Sequence, residues 1–341
     1  MAAPPIPRII LGTMTYGGQT SKTDAAAIVT AFATDYPSLV GPVPELDTAR
    51  MYCSGGTETM IGELARENPA LKMSIATKAN PFMGKSLSAA GLSAQVDASL
   101  KALAMESVDI FYLHGPDANA VIEETLGAVQ RAFEAGKFSR FAISNFTAWE
   151  TVWIHGFMGA KGWVQPRIYQ GMLNAITRGA MLELLPALRR CGMAFYAYNP
   201  LAGGMLTGKH TRDGDRGGPG RFTSASAWGK IYQDRFMQEP QFQALDIVLA
   251  ACAAVPEDEG GPVPPAEAAL RWCAHHAGLS AERGDGIIVG ASSVAHFEAN
   301  MAALGKGPLP PSVVAAYDDG WETCRASAPE YQRGVSGSSL S

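Results

Sequence analysis

The feature that most constrains this chain is an alternation of short apolar runs with longer amphipathic stretches, repeated almost from end to end. The runs fall at 8–11, 44–46, 73–76, 108–113, 140–143, 167–169, 194–197 and 286–289. Their brevity, and the turn-forming or polar residues around them, predict strands buried on both faces in a parallel sheet. The stretches between them keep apolar residues at helical spacing. Leu92, Val96, Leu100 and Leu103 share one face. Ile122, Leu126, Val129 and Phe133 share another, with Gly136 as a C-terminal stop signal, and Val294, Phe297, Met301 and Leu304 repeat the pattern later. Eight such strand–helix units predict an α/β fold of the (β/α)8 barrel type.

A doubly wound sheet is the structural rival, and it is usually marked by G-x-G-x-x-G after an early strand. Here the first run is followed by Gly12-Thr13-Met14-Thr15-Tyr16-Gly17-Gly18, which lacks that spacing. The chain of 341 residues, 47% hydrophobic, suffices for one large barrel, so 1–333 is expected to form a single domain with 334–341 as a small polar tail. The span 199–239 is long and Gly-rich, and is expected to form a mobile flap over the barrel mouth after strand seven. The irregular piece 255–265 is expected to link two outer helices.

Charge and cysteine usage narrow the partners. A net charge of −5 argues against nucleic acid, and the absence of any apolar run of 18 residues argues against a membrane-spanning helix. Residues 1–7 lack the basic-then-apolar pattern of a secretory signal. The five cysteines are scattered and odd in number, which suits reduced thiols better than a disulfide framework or a zinc site, so a cytoplasmic protein without a metal is expected. Cys53 reads as a packed bystander.

More informative is what ends each strand. Asp47, Lys78, His114, Ser144-Asn145, Gln170 and Tyr198-Asn199 follow six of the runs, and Gly290-Ala291-Ser292-Ser293 follows the last. A closed parallel barrel gathers all these ends on one face, where barrel enzymes build their sites. Singly, Asp47 suits a turn cap, Lys78 a snorkelling rim residue and His114 a satisfied core histidine. Together with Tyr52 they suit carbonyl chemistry. A free phenol, with a pKa of about 10, donates protons poorly at neutral pH. A lysine ammonium beside it favours the phenolate, and an aspartate holds that lysine charged and oriented. The imidazole can position a carbonyl oxygen against the tyrosine hydroxyl. No side chain supplies hydride, so this chemistry requires a cofactor.

Asp47-Thr48-Ala49-Arg50-Met51-Tyr52, followed by Gly55-Gly56-Thr57-Glu58 and Gly62, resembles the D-T-A-x-x-Y-x-x-G-x-x-E signature of the aldo-keto reductases. Lys78, Tyr112-Leu113-His114, Ser144-Asn145, Tyr169-Gln170 and the run from Phe195 to Gly204 continue the match over nearly the whole chain. The stretch from Tyr196 to Lys209, with Gly220-Arg221-Phe222, is similar to the aflatoxin-aldehyde and succinic-semialdehyde reductase subgroup.

The resemblance implies a (β/α)8 barrel that uses NADPH without a metal to reduce aldehydes. Tyr52 would be the proton donor, tuned by Lys78 and Asp47, with His114 orienting the carbonyl. Ser144, Asn145 and Gln170 would bind the nicotinamide carboxamide and Tyr198 would stack on its ring. Asn199, Leu201, Gly203 and Lys209, with Arg221, would wrap the pyrophosphate and ribose. Ser292, Ser293, His296 and Asn300 would hold the adenosine 2′-phosphate at a helix N-terminus. Tyr232, Arg235 and Arg333 would grip a carboxylate distal to the aldehyde. His296 stands where the family usually has glutamine, which bears on how strongly NADPH is preferred over NADH. A homodimer is implied by analogy with the subgroup. Two other functions stay open at this point: a slow or non-catalytic nicotinamide-binding sensor subunit, and a lyase forming a Schiff base on Lys78.

Overall fold

The protein is described by a computed structural model over residues 5–82, 86–212, 222 and 227–336. Eight parallel strands close into a barrel in chain order, each paired with its sequence neighbours and the last with the first. They are β1 (Arg8–Gly12), β2 (Glu45–Asp47), β3 (Ser74–Ala79), β4 (Val108–Leu113), β5 (Phe138–Ser144), β6 (Ile168–Met172), β7 (Ala194–Tyr198) and β8 (Gly286–Gly290). This is the barrel that the alternating pattern predicts. The strand ends differ from the apolar runs for a simple reason. Strand β3 runs on through Thr77 and Lys78 to Ala79, and β5 starts at Phe138, because paired backbone continues past the point where apolar side chains stop.

Side chains alternate across a strand, so every second residue enters the barrel. Ile10, Ala76, Ile110, Tyr112, Ala142, Ile168, Tyr196 and Ile288 form its central filling. One step of two toward the N-terminal end brings Arg8 and Arg140, and one step toward the C-terminal end brings Lys78, Ser144, Gln170 and Tyr198; on the short β2, Glu45 lies on the lower side and Asp47 on the upper. The interior is thus apolar in the middle and polar at both ends. Across neighbouring strands Gly12 pairs with Asp47, Lys78 with Tyr112 and Ser144 with Gln170.

The opposite face of the strands packs against the surrounding helices. Helix Ala89–Leu103 buries Leu92, Val96, Leu100 and Leu103, and helix Ile122–Glu134 buries Ile122, Leu126 and Val129 while Phe133 is half-buried. Gly136, at φ +70°, follows that helix with its N–H on the Phe133 carbonyl. Helix Val294–Leu304 buries Phe297, Met301 and Leu304. The irregular piece expected at 255–265 does separate two outer helices, Glu239–Ala253 and Pro265–His275.

The span 199–239 is not one loop. Its described parts hold a 3₁₀ turn at Ala202–Thr207 and a helix at Ala227–Phe236. Glycine content hid that helix, because glycines are dense in the sequence just before it and Gly229 stands in its first turn. The rest of the expected flap, and Arg221 with it, lies outside the described residues, as do residues 337–341 of the expected tail. Within the described residues no helix is long and apolar enough to cross a membrane.

Candidate active site

The upper end of the barrel is organised around Lys78, which is fully buried. Its Nζ donates to Asp47 Oδ2 at 2.7 Å and to the Thr48 carbonyl at 2.7 Å. The other carboxylate oxygen of Asp47 accepts from Gln170 Nε2 at 2.8 Å, so Asp47 is clamped between strands β3 and β6. Lys78 Nζ also lies 5.4 Å from the ring centres of both Tyr52 and Tyr112. Burial lowers the lysine pKa, and the contact with Asp47 opposes that pull. Two acceptors on one ammonium favour the charged form the geometry is built around.

Tyr52 leaves the end of β2 on a short 3₁₀ turn, Tyr52–Gly55, and its ring meets His114 edge-on with centroids 5.9 Å apart. The four residues expected to act together, Asp47, Tyr52, Lys78 and His114, therefore do converge. Burial, with Lys78 nearby, pushes the His114 pKa well below the usual histidine range, so the ring is neutral. Its Nδ1 is buried with no hydrogen-bond partner among the described residues. Phe82, 49% exposed, is tilted against the same imidazole with centroids 6.0 Å apart.

The remaining predicted residues surround this centre. Asn145 donates through Nδ2 to the His114 carbonyl at 2.8 Å and to Ser144 Oγ at 3.0 Å, and its Oδ1 accepts from the Tyr198 hydroxyl at 2.7 Å. Its side chain thus ties β4, β5 and β7 together, and its φ of +64° is one asparagine tolerates. Asn199, also left-handed at φ +59°, accepts from the Tyr232 hydroxyl at 3.2 Å. Tyr232 is buried against the 3₁₀ turn: a Cβ at Gly203 would come 2.5 Å from its ring, and Gly203 has φ +72°. Its ring also packs on Phe222 and Phe236, so it supports the segment expected to wrap the cofactor. Leu201 is half-buried at the start of that turn, and Lys209 is exposed just beyond it.

At the far end of the mouth Ser293 caps helix Val294–Leu304, its Oγ accepting from the His296 N–H at 3.3 Å. Ser292 Oγ lies 3.2 Å from His296 Nδ1, and Asn300 Nδ2 reaches the Gly290 carbonyl at 3.5 Å. Ser292 and Ser293 thus meet His296, while Asn300 turns to the end of β8. Arg235 and Arg333 both approach Tyr198; burial, and then the charge of Arg333, pulls the Arg235 pKa down. Neither arginine makes an ion pair among the described residues, and Arg333 Nη2 is buried without a hydrogen-bond partner there. The C-terminal segment that delivers Arg333 is pinned by its own N–H on the Asn145 carbonyl at 2.9 Å and by the Tyr331 hydroxyl, which accepts from Ala148 N–H at 3.0 Å.

Some site residues are given no role by the sequence. Thr48 and Tyr112 stand in matched motifs but join the lysine only through the fold, Thr48 by its carbonyl and Tyr112 by strand register, and Phe82 meets His114 because of the bend after β3. Cys53 departs from expectation: it is exposed, not packed, because the turn throws it outward at φ +46°.

A nicotinamide dinucleotide suits this mouth. Asn199 Nδ2 is buried with no hydrogen-bond partner among the described residues, and at Gly204, φ +117°, no atom comes nearer than 3.7 Å to where a Cβ would stand. Residues 8–322 match the Aldo/keto reductase family. The chain belongs to that family. Among this reductase's relatives, the human protein named aflatoxin B1 aldehyde reductase member 2 is 43% identical over 98% of this chain and 92% of its own length. Human aflatoxin B1 aldehyde reductase member 4 is 40% identical over 95% of this chain and 97% of its own. The human aldo-keto reductase family 7 member A3 is 39% identical over 96% and 97% respectively. The aldo/keto reductase described here is accordingly an oxidoreductase of a family that works with nicotinamide cofactors.

Proposed function

We propose that this aldo/keto reductase reduces aldehydes to alcohols with NADPH, in the cytoplasm. Its substrates would include small aldehydes with a distal carboxylate, such as succinic semialdehyde, and dicarbonyl or aflatoxin-dialdehyde-like compounds. The carrying observation is the buried ammonium of Lys78, fixed by Asp47 and the Thr48 carbonyl against the ring of Tyr52. Bound NADPH would supply hydride to the carbonyl carbon. The chain's own task is the proton and the geometry. Tyr52 gives a proton to the carbonyl oxygen, Lys78 stabilises the phenolate left behind, and neutral His114 orients the oxygen by a hydrogen bond.

Ser144, Asn145 and Gln170 would hold the nicotinamide amide and Tyr198 its ring. Asn199, Leu201, Gly203, Lys209 and Arg221 would follow the pyrophosphate, and Ser292, Ser293, His296 and Asn300 the adenosine 2′-phosphate. The names of the relatives support an aldehyde substrate. Arg235 and Arg333, both without an ion-pair partner among the described residues, support a carboxylate on it. The free thiols suit a reducing compartment. The lyase reading loses ground, because Lys78 Nζ is already spent on Asp47 and Thr48. The sensor reading gains nothing from a centre in which all four catalytic side chains converge.

The test follows NADPH absorbance with succinic semialdehyde, 2-nitrobenzaldehyde and a panel of neutral aldehydes. Turnover is expected with the parent, and Tyr52→Phe should lose about 10²-fold or more in kcat while still binding NADPH. No NADPH consumption by the parent across the panel would refute the reading. Arg235→Ala should raise KM for carboxylated aldehydes by about tenfold or more and leave neutral ones within about twofold. Equal loss on both would remove the carboxylate anchor.

A further inference from the structure

Tyr52 stands on an unusual piece of backbone. Cys53 and Ser54 are both left-handed, at φ +46° and +53°, and Gly55 follows at φ +93°. L-residues with side chains avoid this region, so such a turn persists only when its surroundings hold it. The hydrogen bonds within it, Tyr52 N–H to the Ala49 carbonyl at 3.0 Å and Ser54 N–H to Met51 at 3.3 Å, do not reach the barrel.

The side chain of Arg50 does. Arg50 is anchored by its own N–H on the Lys78 carbonyl at 3.1 Å, and its guanidinium pairs with Glu58. Glu58 is fully buried, and its second oxygen accepts from Thr77 Oγ1 at 2.6 Å. Thr77 immediately precedes Lys78 on β3. The guanidinium also lies flat against Gly55: a Cβ there would come 2.3 Å from Arg50 Nη2 and 2.7 Å from Cζ. The left-handed turn is therefore pressed from beneath by a cation whose counter-ion is tied to the strand carrying the catalytic lysine.

We propose that Arg50 is a positioning residue: the Arg50–Glu58–Thr77 chain braces the turn of Tyr52 and fixes the phenol beside Lys78. The inference rests on the reading of Tyr52 as proton donor. Arg50 touches none of the reacting atoms. It acts through Gly55 and the strained turn, and a displacement of about 1 Å at the acid is enough to cost about 10²-fold in rate.

The test compares the parent with Arg50→Lys, Arg50→Ala and the double variant Arg50→Ala/Glu58→Gln, each also made in a Tyr52→Phe background. Arg50→Ala should lower kcat by about 10- to 100-fold with KM for NADPH within about twofold, and Arg50→Lys should recover part of it. The double variant removes the buried carboxylate that Arg50→Ala leaves uncompensated, so it should regain urea resistance but not kcat. The ionisation of Tyr52, read as the near-ultraviolet phenolate difference between each protein and its Tyr52→Phe counterpart, should move to higher pH in Arg50→Ala, since the phenol drifts from Lys78. The proposal is overturned by unchanged kcat in Arg50→Ala, by a fall in kcat with an unmoved phenolate midpoint, or by recovery of kcat in the double variant. The phenolate titration needs no substrate. A parent inactive on every aldehyde would sink the reductase reading, while a shifted midpoint would still uphold the brace.

Discussion

The rings of Tyr52 and Phe82 both pack on His114, with the ammonium of Lys78 close by. Burial and that positive charge both disfavour the imidazolium, so the ring stays neutral as pH falls through the ordinary histidine pKa of about 6.5. A neutral ring keeps one N–H, enough for the carbonyl-orienting role proposed for it. Between about pH 8 and 6 the enzyme should therefore show no loss of kcat/KM traceable to histidine protonation. His114→Gln, which keeps an amide donor, should lower kcat by about tenfold and leave the shape of the pH profile in that range unchanged. An inflection near pH 6.5 in the parent that disappears in the glutamine variant would contradict this. The depressed pKa also bears on folding: the unfolded chain takes up a proton that the folded ring refuses, so this contribution to stability is lost as pH falls below about 6.5.

At the scale of elements, the signature loop matters as packing as well as chemistry. Helix Gly56–Glu67 begins where the turn of Tyr52 ends, and it must lie close to helix Ala89–Leu103. Gly62 makes the approach possible. A Cβ there would come 2.4 Å from the Leu103 carbonyl oxygen and 2.9 Å from that of Ala102, and backbone cannot yield as a flexible side chain would. Gly62→Ala should destabilise by about 2–3 kcal/mol, seen as a lower urea midpoint with an unchanged slope. Gly156→Ala, where nothing lies within 4 Å, serves as the control and should be neutral or slightly stabilising. How much of the fold and of the site the sequence reveals follows the same physics. Strands and helix faces are legible because burial imposes a period on residue type, and Asp47, Lys78, His114 and Gln170 stand out as polar side chains ending apolar runs. The conformation of Cys53-Ser54 is not legible, since neither residue type announces a left-handed backbone. The pairing of Arg50 with Glu58, eight positions apart, depends on that turn. The helix Ala227–Phe236 is hidden by the glycines before it.

The whole barrel carries charge at both ends of one apolar interior, and the two ends differ in solvation. At the lower end Glu45 is fully buried, with Arg8 at 3.5 Å and Arg140 at 3.7 Å on one carboxylate oxygen. The Tyr196 hydroxyl lies 3.5 Å away, and Oε1 has no hydrogen-bond partner among the described residues. Both arginines are partly in water, so their attraction does not offset the desolvation of the carboxylate. Burial therefore raises the Glu45 pKa from 4.5 to about 7. The folded chain holds a proton there that the unfolded chain has already lost, so stability from this group is fully present below about pH 4.5 and is lost as pH rises through 7. Its size is of order 3 kcal/mol. Glu45→Gln keeps the shape and abolishes the titration. Its urea midpoint should match that of the parent near pH 5 and exceed it near pH 8, by less than this full amount because the arginines lose a counter-charge. A variant less stable than the parent at the higher pH would mean that the ion pairs outweigh desolvation. The exchange should also be felt at the upper end, since Glu45 is one of the carboxylates whose field favours the ammonium of Lys78. Removing that charge withdraws one support from the protonated lysine, so the alkaline limb of kcat should move to lower pH in Glu45→Gln, with no contact to the reacting groups altered.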